Sequence, residues 1–230
     1  DYNVHCGTKA FIVTRIGDVF LLAGILLIYS LTPNHTLSLF YLSTQSGWLF
    51  MLSQAGLLVP IALFMFIGAI GKSAQFPLDV WLPEAMAGPS SVSALIHAAT
   101  MVKAGVYLTA RLLLLFLPWL GLMKTFFVTV ALIGGFTAFY TGTMAMVARE
   151  IKQVLAFSTI SQLGYMMLAI GVGGIMVQFE GAYFAGIFQL LNHAAFKALL
   201  FLAAGGVLHV TERRDMFEMG GLRSAMPKTF

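Results

Sequence analysis

Long apolar stretches separated by short polar punctuation run through this chain, at about 10–30, 50–71, 92–117, 125–147, 153–173 and 181–208. Each is long enough for the roughly 20 apolar residues that carry an α-helix across a bilayer. The pattern therefore predicts six membrane spans, or seven if one is broken. Pro33 and Asn34 end the first run, and Pro118 and Gly121 separate the third from the fourth. Arg149, Glu150 and Lys152 divide the fourth from the fifth, and Gly171, Gly173 and Gly174 read as a turn closing the fifth. The implied fold class is all-α, a polytopic transmembrane helical bundle.

The stretch 71–90 does not fit a plain helix. Lys72, Pro77, Asp79, Pro83, Glu84, Gly88 and Pro89 interrupt it. Proline removes a backbone donor and clashes with the preceding turn. Pro77 and Pro83 thus predict a broken helix, with a short unwound segment and a second half-helix around Asp79 to Met86. Unwound backbone at membrane depth survives only inside protein or beside water, so this break is a candidate element of an ion path.

Ionisable residues inside apolar runs are the candidate chemistry, because a charge at the bilayer centre costs about 2.5 to 3.5 kcal/mol or more. Lys72 follows an uncharged run; it reads either as a helix-end lysine reaching for the interface or as a buried lysine that switches protonation against a carboxylate. His97 and Lys103 share the third run. On one continuous helix their backbones lie roughly 9 Å apart with directions differing by about 120°, so they do not touch directly. His97 alone also fits a core histidine satisfied by a carbonyl. His193 and Lys197, four apart, share one helix face, with Gln189 and Asn192 nearby. That grouping reads as a buried polar track or as a structural cluster joining helices. Gly134, Gly135 and Gly142 read as close-packing positions, Glu180 as an interfacial carboxylate, and Lys152 as a helix-start anchor or a further path residue.

Composition agrees. Of the 230 residues 59% are hydrophobic and 10% charged, against roughly a quarter charged in a soluble domain. The net charge of +4 does not mark a nucleic-acid binder, since the basic residues are scattered apart from Arg213, Arg214, Arg223 and Lys228. If six spans alternate, the amino-terminal end, the Arg149–Lys152 region and the tail after His209 share one side, which the positive-inside rule places in the cytoplasm. Cys6 is the only cysteine, too few for a cysteine-based metal centre. The lysine and arginine content of the first run is unlike a signal peptide, and the sequence reads as a fragment of a longer chain.

Gly71-Lys-Ser-Ala-Gln-Phe-Pro-Leu, Trp81-Leu-Pro-Glu-Ala-Met-Ala-Gly-Pro, Ser93-Ala-Leu-Ile-His-Ala-Ala-Thr-Met-Val and Ile151-Lys-Gln-Val-Leu-Ala-Phe-Ser-Thr-Ile-Ser-Gln-Leu-Gly-Tyr together resemble the central part of the antiporter-like subunits of respiratory complex I, called subunit L in bacteria and chain 5 in mitochondria. Asn192-His-Ala-Ala-Phe-Lys-Ala-Leu-Leu-Phe and Met219-Gly-Gly-Leu continue the likeness. The resemblance implies an inverted-repeat antiporter-like fold, with 1–230 as a single transmembrane proton-translocating domain. It implies that protons move through Lys72, His97, Lys103, His193 and Lys197, driven by redox chemistry elsewhere in an NADH:quinone oxidoreductase. It also places the usual glutamate partner of the Lys72 position upstream of Asp1 and a later lysine beyond Phe230. No cofactor is expected in this chain; NADH, FMN, iron–sulfur clusters and quinone would belong to partner subunits. The expected partners are other membrane-arm subunits and the lipid bilayer, with no nucleic acid, and a prokaryotic cell membrane is favoured over an organelle inner membrane. Lys103 and Gln189 depart from subunit L. Lys103 is similar instead to the large subunit of multisubunit Na+/H+ antiporters and to the other antiporter-like subunits of complex I, which keeps antiport open beside archaeal complexes oxidising a reduced deazaflavin or ferredoxin.

Overall fold

A computed structural model describes residues 2–32, 34–45, 47–176 and 179–226. Pro33 and Lys228 lie outside the described residues. The described residues are helical, with no strand beyond an isolated bridge between Glu150 and Asp215. The helices are α1 (Tyr2–Leu31), α2 (Leu39–Thr44), α3 (Gly47–Gln54), α4 (Leu58–Lys72), α5 (Trp81–Glu84), α6 (Ser90–Ala98), α7 (Met101–Leu115), α8 (Lys124–Val147), α9 (Ile151–Ile175), α10 (Phe179–Thr211) and α11 (Leu222–Ala225). Five are long and apolar enough to cross a membrane, counting α6 with α7, or six if the bent pair α3 and α4 is one span.

Three apolar runs fold differently from the simple pattern. The run 50–71 is not one straight span, because the chain bends by 105° between α3 and α4. Gly56, at φ +68°, makes the turn, a left-handed conformation that glycine adopts at no steric cost. The 15 residues of α4 then cover only about 22 Å, short of a roughly 30 Å core. The run 92–117 is also two helices. Thr100, at φ −115° and ψ −105°, sends both its amide and its hydroxyl to the Leu95 carbonyl, a wider closure than the α-helical one that ends α6. Finally, Gly171, Gly173 and Gly174 do not form a turn: all three are helical and buried in α9. A Cβ on Gly174 would stand 2.1 Å from the Phe127 ring, so this cluster seats α8 against α9.

Small residues bring the long helices together, since attraction between helices in lipid rests on packing rather than on expelling water. A Cβ on Gly134 would come within 2.7 Å of the Gly164 carbonyl, and one on Gly164 within 2.6 Å of the Gly134 carbonyl. Gly135 and Gly142 have ordinary spacing instead, 3.6 Å and 3.5 Å to their nearest neighbours. In the other half, Gly17 of α1 sits against Gly71 of α4, with 3.2 Å between a built Cβ and the facing Cα.

One end of the bundle gathers the expected same-side segments. Lys9 donates to Glu84, the Met216 amide bonds the Arg149 carbonyl, and Glu150 bridges Asp215. The amino-terminal end, the α8–α9 connection and the segment after α10 thus meet at one end, as alternating spans require.

Candidate functional site

The break after α4 is a built structure. Ala74 takes a left-handed φ of +48°, and the Gln75 amide closes on the Ile70 carbonyl at 3.0 Å, the backbone pattern that commonly ends helices. Trp81 Nε1 bonds the Gly71 carbonyl at 3.1 Å, satisfying a group the broken helix leaves open. Pro77 stands in the unwound segment, after a cis peptide. Pro83 does not unwind the chain: it lies in the first turn of α5, where a missing amide costs nothing. The second half-helix begins at Trp81 rather than Asp79, and a 3-10 turn extends it to Ala87.

Lys72 ends α4 and has a carboxylate partner within this chain. Its Nζ lies 2.9 Å from Asp18 Oδ1 and donates to Oδ2 at 3.0 Å, while Arg15 approaches the same carboxylate at 3.5 Å. The contact follows from the glycines beside it: Gly17 and Gly71 bring the backbones together, and the next residue of each helix completes the ion pair. Asp18 is near the middle of α1, about 24 Å along the helix from Tyr2 at 1.5 Å per residue. The ion pair therefore lies near the middle of α1 rather than at either of its ends. The signal in the sequence was Asp18 itself, an acid inside an apolar run three residues after Arg15.

His97, Lys103, His193 and Lys197 come together in the middle of the bundle, all buried. His97 lies within electrostatic reach of His193 and Lys197, and His193 of both lysines. The separation expected for His97 and Lys103 on one continuous helix does not apply, because the helix breaks between them. Lys103 donates to the Leu190 carbonyl of α10 at 3.0 Å. Lys197 donates to the Leu155 carbonyl at 3.0 Å and to Ser158 Oγ at 2.7 Å, both on α9. His193 and Lys197 do share a face of α10, yet they do not bond each other. Neither ring nitrogen of His97 or of His193 has a hydrogen-bond partner among the described residues. His97 stacks on Phe201 at 4.6 Å, and His193 meets Phe196 edge-on at 5.1 Å. Gln189 donates to Gln162 at 2.7 Å beside the cluster, whereas Asn192 is exposed.

Two further contacts frame this cluster. Ser73 Oγ donates to the Val102 carbonyl at 2.7 Å, so the residue after Lys72 is tied to the residue before Lys103. A Cβ on Gly105 would come within 2.4 Å of the Ala69 carbonyl, which shows how closely α7 is pressed to the break. At the end of the bundle Lys152 donates to the Gly88 carbonyl at 3.0 Å, and Glu180 is exposed in the first turn of α10.

A family model described as NADH:quinone oxidoreductase/Mrp antiporter, transmembrane region, matches residues 2–230. The chain belongs to this family. Among its relatives, the F(420)H(2) dehydrogenase subunit L of Methanosarcina mazei is 47% identical over 237 residues, covering 96% of this chain and 34% of that protein. The NAD(P)H-quinone oxidoreductase chain 5 of Synechocystis sp. is 46% identical, covering 96% and 32%. This chain therefore spans about a third of the length of those family members. Among solved structures, the Mrp complex from Dietzia sp. DQ12-45-1b contains a chain with a TM-score of 0.83 and 34% identity, over 97% of this chain and 23% of that one. The antiporter-like, membrane-embedded helical fold expected from the sequence motifs is the fold observed.

Proposed function

We propose that this chain carries protons within a membrane-arm subunit of an NADH:quinone oxidoreductase-type complex, with Lys72, His97, Lys103, His193 and Lys197 as the proton-carrying groups. The observation that carries the reading is the mid-bundle cluster of two lysines and two histidines. No carboxylate forms an ion pair with them among the described residues. Structural polar residues in a membrane protein are ordinarily paired. Here the lysine amines rest on helix carbonyls, and the imidazoles keep their nitrogens free to accept or donate.

The geometry divides the work. Asp18 stabilises a charge on Lys72. When the ion pair opens, that charge loses its partner in a low-dielectric setting, and release of a proton toward the cluster becomes favourable. Lys103 and Lys197 flank His193, and like charges in one buried site disfavour simultaneous protonation, so a proton arriving at one promotes departure from the other. Water between the groups supplies the transfers that the lysine–carbonyl contacts do not.

The redox chemistry would belong to other subunits, which would hold NADH or another donor, FMN, iron–sulfur clusters and quinone. The positive-inside rule assigns the end bearing Arg149, Lys152 and Arg213 to the cytoplasm. A prokaryotic cell membrane is the proposed location, with archaeal and cyanobacterial relatives at 47% and 46% identity beside chloroplast relatives at 46% and 48%. The test is Lys72→Ala in the assembled complex, with proton pumping and electron transfer measured together. Loss of pumping per electron is expected; normal values for both would remove Lys72 from the mechanism. Sodium/proton exchange is a second reading, favoured by the 34% identity to a chain of the Mrp complex. Sodium-dependent pH changes in vesicles, without electron transfer, would select it.

A further inference from the structure

At the end of the bundle that gathers Lys9, Arg149 and Met216, a cavity of about 190 Å³ opens between α6, α9 and α10. Its wall includes Met86, Ser90, Glu150, Lys152, Leu208 and Glu212. The buried His97 and Lys197 lie further along the same helices. Between the two stands a small apolar cluster, separate from the main core, made of Met86, Ala94, Ala156 and Phe201, with Leu155 packed against it.

The three helices repeat one order. Along α6, Ser90 lines the cavity, Ala94 belongs to the apolar cluster and His97 to the polar one. Along α9, Lys152 lines the cavity, Ala156 is apolar, and Leu155 and Ser158 receive the Lys197 amine. Along α10 in reverse, Leu208 lines the cavity, Phe201 is apolar, and Lys197 follows one turn on. Met86 touches both regions, and Phe201 forms both the floor of the plug and the stacking partner of His97. The polar mouth and the polar interior are thus parted by an apolar layer to which each of these helices gives one residue, and from Ser90 to His97 or from Lys152 to Ser158 the helix advances about 10 Å.

We propose that the cavity is the aqueous mouth through which protons reach the cluster, and that Met86, Ala94, Ala156 and Phe201 form an apolar gate closing it. A hydrophobic constriction blocks ions when it is dry and passes them when water fills it. His97, whose ring rests on Phe201 and whose nitrogens have no partner among the described residues, is the first group to take a proton once the layer is wetted. The charged groups facing the mouth draw water to its outer side, whereas the four gate residues present only carbon and sulfur. The proposal rests on the reading of the interior cluster as a proton path.

The test uses the assembled complex in membrane vesicles, with Met86→Ser and Ala94→Ser placing a hydroxyl in the layer. Each is expected to raise passive proton conductance and to lower the number of protons pumped per electron, and adding Lys197→Met is expected to suppress the leak. A second measurement keeps the idea exposed if these variants assemble poorly. In a Cys6→Ser background, a water-soluble thiol reagent should modify this subunit at S90C in the resting complex, and at A94C only during turnover. Parental conductance and pumping in both serine variants, or equal labelling of S90C and A94C at rest, would overturn the gate. If Lys72→Ala abolishes pumping while the gate variants change nothing, only the gate fails. If Lys72→Ala pumps normally, the underlying reading fails first.

Discussion

Asp18 and Lys72, far apart in sequence, form an ion pair at 2.9 Å near the middle of α1, held there by the contact of the glycines that precede each of them. The side chains are 23% and 30% exposed, so the pair is only partly shielded and its value as a fold anchor is modest. In the proposed mechanism it is a switch, in which one carboxylate stabilises the charge that ends the broken helix.

Replacing Asp18 by Asn keeps the shape and removes the charge. The complex is expected to assemble, while protons pumped per electron fall strongly, measured as acidification of vesicles against electron-transfer rate. Asp18→Glu should recover part of the loss. An Asn variant that pumps like the parent would show that the ion pair is structural.

Replacements at Lys103 and Lys197 are expected to separate proton carriage from fixed charge. Methionine at either position preserves apolar bulk and removes the proton, and should depress pumping in assembled complexes. Arginine retains the charge but does not release its proton near neutral pH, so Lys103→Arg and Lys197→Arg should also fail to pump. If arginine serves as well as lysine, the cluster works as fixed charge, not as a proton carrier.

Helix packing between α8 and α9 gives a stability prediction independent of transport. Gly164→Ala puts a methyl 2.6 Å from the Gly134 carbonyl, and overpacking of this kind costs about 1 to 3 kcal/mol. Gly142→Ala, with 3.5 Å to Ser161 Oγ, should be near neutral. Thermal denaturation of the detergent-solubilised complex, or subunit retention on gentle heating, would rank the two variants in that order.

The Trp81 indole holds the break closed through the Gly71 carbonyl. Trp81→Phe keeps most of the buried ring and loses one hydrogen bond, leaving a carbonyl unsatisfied at a cost of about 1 to 3 kcal/mol. Faster hydrogen exchange in residues 71–81 with little change elsewhere is the expected signature. Exchange at the parental rate would mean that the bond contributes nothing to the break.

The chain's own pattern determined that it is a helical membrane protein, where most spans lie, that α4 is broken near proline, and which lysines and histidines are too deep to ignore. Those features are local: apolar run length, proline's missing donor and the cost of a buried charge all act within a few residues of themselves. Tertiary structure alone decided the partners. Asp18 meets Lys72 because glycines on two helices face each other. The α6–α7 break at Thr100 has no glycine or proline to announce it. Gly171, Gly173 and Gly174, which locally resemble a turn, stay helical because α8 and α10 fill the space their missing side chains leave. The order of cavity, apolar layer and polar cluster likewise exists only where three helices run side by side, since no single helix carries all the residues of any layer.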